Sequence, residues 1–297
     1  MKPTRPILRY HGGKWKLAPW LLEHFPRHRV YVEPFGGAAS VLMLKQRSYG
    51  EVYNDRDEAV VNVFRVLRDR DTAAELKRRL ELTPFARAEL KAAYADPVDE
   101  IDAAHKMIVR AFMGFGSASM TREHMTGFRF NSNRAGTTPA QDWMHWPQAI
   151  DAMVERLRGV VIENKDFAAV IPDHDSPDTL VYADPPYVPE TRSSLKTRNG
   201  NAGRRGATPG TSGHYYRHDM TDEDHRRLAA ALHAAQGMVL LSGYPSELYD
   251  RELYAGWARF ERQHMADGAR PRKEVIWLNP RCAEELERSR SQRRLIA

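Results

Sequence analysis

Short uninterrupted apolar runs alternate along this chain with stretches in which apolar residues recur every three or four positions. That alternation predicts a sheet of buried, mostly parallel strands wrapped by helices. Val30-Tyr31-Val32-Glu33 predicts a first strand, followed by the turn Pro34-Phe35-Gly36-Gly37-Ala38-Ala39-Ser40 and a helical stretch from Val41 to Lys45. Glu51-Val52-Tyr53-Asn54-Asp55 predicts a second strand, after which Ala59, Val60, Val63, Phe64 and Leu67 share one helix face. Strand, glycine turn, helix, strand is the order of a doubly wound α/β fold.

From about Arg65 to Gly159 the pattern changes to helical stretches rich in Ala, Arg and Glu, with an aromatic, glycine-containing stretch from Phe112 to Phe130. An inserted, mainly helical subdomain is expected there, with Trp143 and Trp146 packing it against the rest. Strands return at Val160-Val161-Ile162-Glu163, Leu180-Val181-Tyr182-Ala183 and Met238-Val239-Leu240-Leu241. Thr221 is a good N-cap for a helix carrying Leu228 and Leu232, with Asp222, Glu223 and Asp224 near its positive end. Phe260 to Met265 and Glu274 to Asn279 predict a closing hairpin around Asp267-Gly268, and Glu284 to Arg294 predicts an exposed, frayed helix. The resulting partition is 1–64 with 160–282 as one unit, 65–159 as an insertion and 283–297 as a charged tail.

Composition narrows the function classes. The 297 residues suffice for one large core with a subdomain. Lys and Arg number 45 against 39 Asp and Glu, for a net charge of +6. The excess is clustered, notably at Lys196, Arg198, Arg204 and Arg205 in the Gly-, Thr- and Arg-rich stretch from Lys196 to His214. Such clustering suits a polyanionic partner, and equally a solvated basic loop on an ordinary, mildly basic protein. A single cysteine, Cys282, excludes an internal disulfide framework and any cysteine-rich zinc site, and the histidines lack metal-ligand spacing, so no metal is expected. No apolar run approaches the length of a membrane span, and none follows Met1-Lys2-Pro3-Thr4-Arg5-Pro6 as a signal core would. A cytoplasmic protein is expected, monomeric or dimeric.

The chemistry concentrates at Asp184-Pro185-Pro186-Tyr187, directly after a strand. Ligands of open α/β sheets bind at the carboxyl ends of strands. An acid, a stiff turn lacking two backbone donors and an aromatic ring can accept hydrogen bonds from an NH₂ group and stack on a flat base. The same residues would also make a strand-ending turn with a core tyrosine. Gly36 and Gly37 would let a ligand approach the backbone, or simply close a tight turn. Asp55, 22 residues after Glu33, suits a ribose diol or a helix N-cap. The glycine spacing is not that of a dinucleotide fingerprint.

Taken together, Tyr10-His11-Gly12-Gly13-Lys14, Val32 to Ser40, Asn54-Asp55 and Asp184 to Tyr187 closely resemble the Dam-type DNA adenine N6-methyltransferases. Their order resembles that family's alpha arrangement, in which the long insertion is the target-recognition domain. The resemblance implies a Rossmann-like S-adenosylmethionine-dependent methyltransferase sheet and direct methyl transfer to an adenine flipped out of double-stranded DNA. It implies that Tyr10, Lys14, Pro34, Phe35, Gly36, Gly37, Ala38, Asp55, Asp166, Phe167 and Asp184 bind the cofactor, with Asp55 on the ribose and Asp166-Phe167 at the adenine. Asp184 and the Pro185 carbonyl would accept from the target amino group, with Pro186 stiffening the turn and Tyr187 stacking on the base. Arg110, Arg122, Arg129, Asn131, Asn133 and Arg134 in the insertion could read bases or phosphates. Lys196, Arg198, Arg204 and Arg205 suit phosphate contact, and Tyr215-Tyr216 suit the flipped base. The insertion departs from the family at Phe112 to Ser119, so the GATC specificity is not carried over, and Ala39 stands where a glycine is common. Cytosine N4 methylation, which more often has Ser in place of Asp184, and a catalytically silent DNA-binding protein are the alternatives.

Overall fold

The computed structural model describes residues 3–10, 12–115, 125–133, 136–188, 191, 219–266 and 270–296, with the backbone alone at 264–266, 270, 271 and 293–296. Its strands are β1 Val30–Glu33, β2 Gly50–Asn54, β3 Val160–Glu163, β4 Thr179–Ala183, β5 Met238–Gly243, β6 Ala258–Ala266 and β7 Arg270–Leu278. They form a seven-stranded sheet in the order β3-β2-β1-β4-β5-β7-β6. The first five run parallel, and β7 is antiparallel to both β5 and β6. This is the mixed, mostly parallel α/β sheet that the sequence predicts. Winding reverses between β1 and β4, which opens a crevice beyond their carboxyl ends.

Central strands are buried on both faces, which explains their uninterrupted apolar sequences. Tyr31, Tyr53, Tyr182 and Leu240 enter one hydrophobic cluster, while Val32, Val52, Val181 and Val239 enter the other. Helices α1 (Ala18–Leu22), α2 (Ser40–Leu44) and α3 (Glu58–Arg68) cover the first face. On the second lie α9 (Phe167–Asp173), α10 (Asp222–Ala234) and a π-helical turn at Leu248–Leu253. As expected, Thr221 caps α10: its hydroxyl accepts from Asp224 N, and the Asp224 carboxylate accepts from Thr221 N.

Between α3 and β3 come α4 (Arg70–Leu82), α5 (Arg87–Ala92), α6 (Glu100–Met113), α7 (Pro139–His145) and α8 (Ile150–Leu157). The region is helical, as its pattern predicts. Its apolar faces, among them Leu76, Leu80, Met107, Ile108 and Phe112, belong to the same cluster as the sheet's first face. The expected boundary after residue 64 falls inside α3. The two tryptophans divide their work: Trp146 Nε1 donates to the Pro6 carbonyl at 3.3 Å, across to the N-terminal segment, whereas Trp143 Nε1 donates to Thr83 within the helical region at 2.8 Å.

Two further differences concern the carboxyl-terminal quarter. Strands β6 and β7 are longer than the apolar pattern predicts, because charged residues such as Glu261 and Lys273 pair across an exposed ladder. Asp267 and Gly268 lie outside the described residues. Helix α11 (Pro280–Ile296) begins on the body of the protein rather than as a free tail. Cys282 and Leu286 are buried in the first cluster, which anchors its amino-terminal turns despite the charge that follows. Among the described residues no helix is long and apolar enough to cross a membrane.

Candidate active site

The turn after β1 is shaped by the two tyrosines beside it. A Cβ on Gly36 would lie 2.1 Å from the Tyr53 ring, and one on Gly37, at φ +47°, would lie 3.0 Å from the Tyr10 ring. Glycine is therefore demanded here by protein packing and not only by ligand approach. Tyr53 Oη donates to the Gly37 carbonyl at 2.8 Å. Ala39 has φ 51°, the one non-glycine residue with positive φ among those described. A Cβ in that region costs about 1 kcal/mol, a strain that a glycine at this position would avoid.

Asp55 grips the same turn. Its Oδ2 accepts from Gly37 N at 2.8 Å and its Oδ1 from Asp57 N at 2.8 Å. The N-cap of α3 is Asp57, which accepts from Ala59 N, so helix capping is not the role of Asp55. Burial first, opposed by its backbone bonds, pushes the Asp55 carboxyl up to about 6. Asn54 clamps three loops together: Nδ2 donates to the carbonyls of Pro34 and Lys165, and Oδ1 accepts from Lys165 N.

The second half of the site begins where β4 ends. Asp184 Oδ1 accepts from Ser242 Oγ at 2.8 Å and pairs with Lys14 Nζ at 2.9 Å. Lys14 also lies 3.5 Å from Glu274 Oε1, donates to the Gly12 carbonyl at 3.0 Å and sits 4.8 Å from the Tyr187 ring centroid. Tyr187 Oη donates to Glu274 Oε1 at 2.5 Å, and the Tyr244 ring abuts Tyr187 edgewise at 4.3 Å. Beneath them Glu33 Oε2 accepts from Tyr31 Oη and Leu42 N. Burial raises Glu33 to about 8 and Glu274 to about 7, each also pushed up by the negative Asp184.

These two halves face one cleft that is open to solvent. Tyr10, Lys14, Pro34, Phe35, Gly36, Gly37, Ala38, Asp55, Phe167 and Asp184 to Tyr187 all line it. Asp166 does not: its Oδ1 caps α9 at Ala168 N and its Oδ2 pairs with Arg227, so its acceptors are spent at the rim. Lys14 lies against the catalytic-motif acid, which its place in the amino-terminal motif did not predict. Ser40 Oγ lines the cleft too, buried and without a hydrogen-bond partner among the described residues. An orphaned hydroxyl, the Asp55 carboxylate and the Phe35–Phe167 aromatic pair at 5.5 Å suit a ligand with a polar end, a diol and a flat ring.

Sequence reasoning missed Ser242, and gave no role to Ser40 or Glu274 although the resemblance runs through Val32 to Ser40 and on to Lys273-Glu274-Val275. The signal for Glu274 was available: an acid heads the run Val275 to Leu278, which is buried throughout. Ser242 likewise interrupts a strand that is buried at every position.

The insertion candidates separate. Arg110 is buried, donating from Nη1 to the Ala93 carbonyl at 2.5 Å, and so is not presented to DNA. Helix α6 turns this position inward, which composition could not reveal. Arg129 Nη1 donates to the Phe112 carbonyl, while Asn131 and Asn133 are exposed. Phe115 and Phe130, each 72% exposed, flank the short bridge between Gly114 and Phe128. Arg122, Arg134, Lys196, Arg198, Arg204, Arg205, Tyr215 and Tyr216 lie outside the described residues.

A family profile described as D12 class N6 adenine-specific DNA methyltransferase matches residues 10–254. A DNA adenine methylase of Salmonella typhi is 23% identical over 198 residues, covering 64% of this chain and 67% of the relative. Another DNA adenine methylase, from Vibrio cholerae serotype O1, is 24% identical over 210 residues, covering 68% and 72%. A type II methyltransferase of Lactococcus lactis subsp. cremoris, M1.LlaDCHI, is 23% identical over 210 residues, covering 65% and 69%.

Proposed function

Because the chain belongs to the D12 class N6 adenine-specific DNA methyltransferases, we propose that Asp184 and the Pro185 carbonyl receive the amino group of an adenine in its cleft. The protein is an adenine-specific DNA methyltransferase, and its family implies S-adenosylmethionine as methyl donor. The single observation that carries the residue roles is the Asp184 carboxylate, held by Ser242 and Lys14 at the switch point of the sheet, in the same cleft as Asp55.

The exocyclic nitrogen of adenine is a poor nucleophile because its lone pair is delocalised into the ring. Two acceptors drawing its hydrogens out of the ring plane return density to nitrogen. Lys14 and Ser242 both engage Oδ1, which fixes the carboxylate plane. Tyr187, pinned by its hydroxyl, offers an aromatic wall for the base. When bound, S-adenosylmethionine supplies an electrophilic methyl group on a sulfonium. Asp55 would hold its ribose, Phe35 and Phe167 its adenine, and the turn from Pro34 to Ala38 with Ser40 its amino-acid end. The protein's contribution to rate is then positioning and electrostatic complementarity.

A base within duplex DNA must be flipped out to reach the cleft, at roughly a few kcal/mol. Residues 65–159 act as the recognition region in this reading, with the exposed Asn131, Asn133, Phe115 and Phe130 meeting DNA. The predicted test is Asp184→Ala: methyl transfer to unmethylated DNA falls by on the order of 10³ or more, while calorimetric binding of S-adenosylmethionine stays within a few-fold. Wild-type turnover in that variant would overturn the assignment. Tyr187→Ala weakens transfer and leaves partial activity.

A further inference from the structure

Glu274 lies in Lys273-Glu274-Val275, where the resemblance read from the sequence ends with no role attached, yet it joins the catalytic turn to the amino-terminal segment. It stands on β7 one residue before Val275, which pairs with Gly243 at the end of β5. The antiparallel strand thereby brings an acid to the same end of the sheet as Asp184. The residue is 1% exposed. A buried carboxylate is costly unless it is paired and hydrogen-bonded, and both of its partners named above, Tyr187 Oη and Lys14 Nζ, are residues of the active site.

Lys14 is shared. Its ammonium lies 2.9 Å from Asp184 and 3.5 Å from Glu274. The amino group of an adenine arriving at Asp184 competes with that ammonium for carboxylate lone pairs. A second carboxylate within reach lets the ammonium shift without losing an ionic partner. Tyr187 is fixed at three points by the same cluster: its hydroxyl on Glu274, its ring under Lys14, and its flank against Tyr244.

We propose that Glu274 is a positioning residue for methyl transfer, holding Tyr187 by its hydroxyl and receiving the Lys14 ammonium when the target amino group takes its place on Asp184. This deepens the assignment of Asp184 and rests on it. Glu274 acts through its neighbours and touches no reacting atom. Lys14 comes from the amino-terminal segment, Asp184 and Tyr187 from the turn after β4, and Ser242 and Tyr244 from the end of β5. Arg262 stands opposite on β6, and Arg272 and Lys273 precede Glu274 on its own strand.

The experiment compares wild type, Glu274→Gln, Tyr187→Phe and Asp184→Ala as full-length chains, with S-adenosylmethionine and unmethylated duplex DNA. A glutamine keeps the volume and an acceptor for Tyr187 but removes the charge offered to Lys14. Glu274→Gln is expected to lower kcat about tenfold, with KM for S-adenosylmethionine within twofold. Because Glu274 is raised to about 7 by burial, wild-type kcat rises with pH through that value, and the glutamine variant loses this limb. A residue that merely stabilised the fold would leave the shape of the pH profile unchanged. Wild-type kcat with an unaltered pH profile in Glu274→Gln overturns the proposal. Should that variant not fold, Tyr187→Phe decides: about fivefold loss of kcat supports the proposal, and wild-type kcat overturns it. Full activity in Asp184→Ala is the separate result that removes the underlying assignment.

Discussion

One methyl group added at Gly36 would meet the Tyr53 ring at 2.1 Å. Tyr53 is fully buried, stacked on Phe64 at 4.2 Å and bonded to the Gly37 carbonyl, so the ring has nowhere to retreat. Gly36→Ala is therefore expected to destabilise the protein by about 1–3 kcal/mol, seen as a lower midpoint of chemical denaturation without any ligand. The glycine was legible in the sequence as part of a cofactor turn. Its packing reason was not, because Tyr53 is 17 positions away and meets Gly36 only once β1 and β2 pair in register. Spacing left Asp55 open between a ribose ligand and a helix N-cap; its carboxylate bonds the Gly37 amide, and the cap of α3 is Asp57. Arg110 and Asp166 show the opposite case. Their residue types suit DNA and adenine, but a helix face turned one inward and a helix cap occupied the other.

At the scale of elements, strands and helices followed from apolar period, while the joints between them did not. The clearest joint is Glu51 on β2, where Arg156 of α8 donates at 2.6 and 2.9 Å and Lys45 at 2.6 Å, all three side chains being nearly inaccessible. Burial works to raise the Glu51 carboxyl, yet bonds from Arg156 and Lys45 hold it below its ordinary value. This triad fastens the last helix of the 65–159 region to the sheet. Arg156→Ala leaves a buried charge with one partner fewer and should cost about 3 kcal/mol, read by denaturant titration. A double-mutant cycle with Glu51→Ala should show strong coupling. Nothing in a single sequence marks residues 105 positions apart as partners. The charged carboxyl-terminal stretch misled for a related reason: its average polarity hid the anchoring contribution of Cys282 and Leu286.

For the whole molecule, acids that burial makes reluctant to ionise gather at the cleft: Glu33 at about 8 and Asp55 at about 6 line it, and Glu274 at about 7 stands behind its Tyr187 and Lys14. Each folded value lies above the ordinary one, so the folded state binds more protons than the unfolded state between the two. Stability from these groups is full below their ordinary values, 4.5 for the two glutamates and 3.8 for Asp55, and is lost as pH rises through the folded values. His24, His28 and His105 are lowered, chiefly by burial, from 6.5, and act in the opposite sense below that pH. Between pH 6.5 and 8.5 the acids dominate, and the free protein should lose stability across that window. Glu33→Gln, which keeps an acceptor for Tyr31 and Leu42, should flatten the loss. A wild-type stability that climbs through the window would contradict the burial of these carboxyls. The electrostatic character of the cleft was invisible in a net charge of +6, since the acids gather where the fold converges.

What leaves the cleft reads out the role of Asp184 most directly. Unmethylated duplex DNA incubated with labelled S-adenosylmethionine and then digested to nucleosides for mass spectrometry gives the product and the residue dependence together. Wild-type protein is predicted to yield N6-methyladenine, and Asp184→Ala none above background. Label on cytosine N4, or N6-methyladenine at wild-type yield from Asp184→Ala, would contradict the central claim.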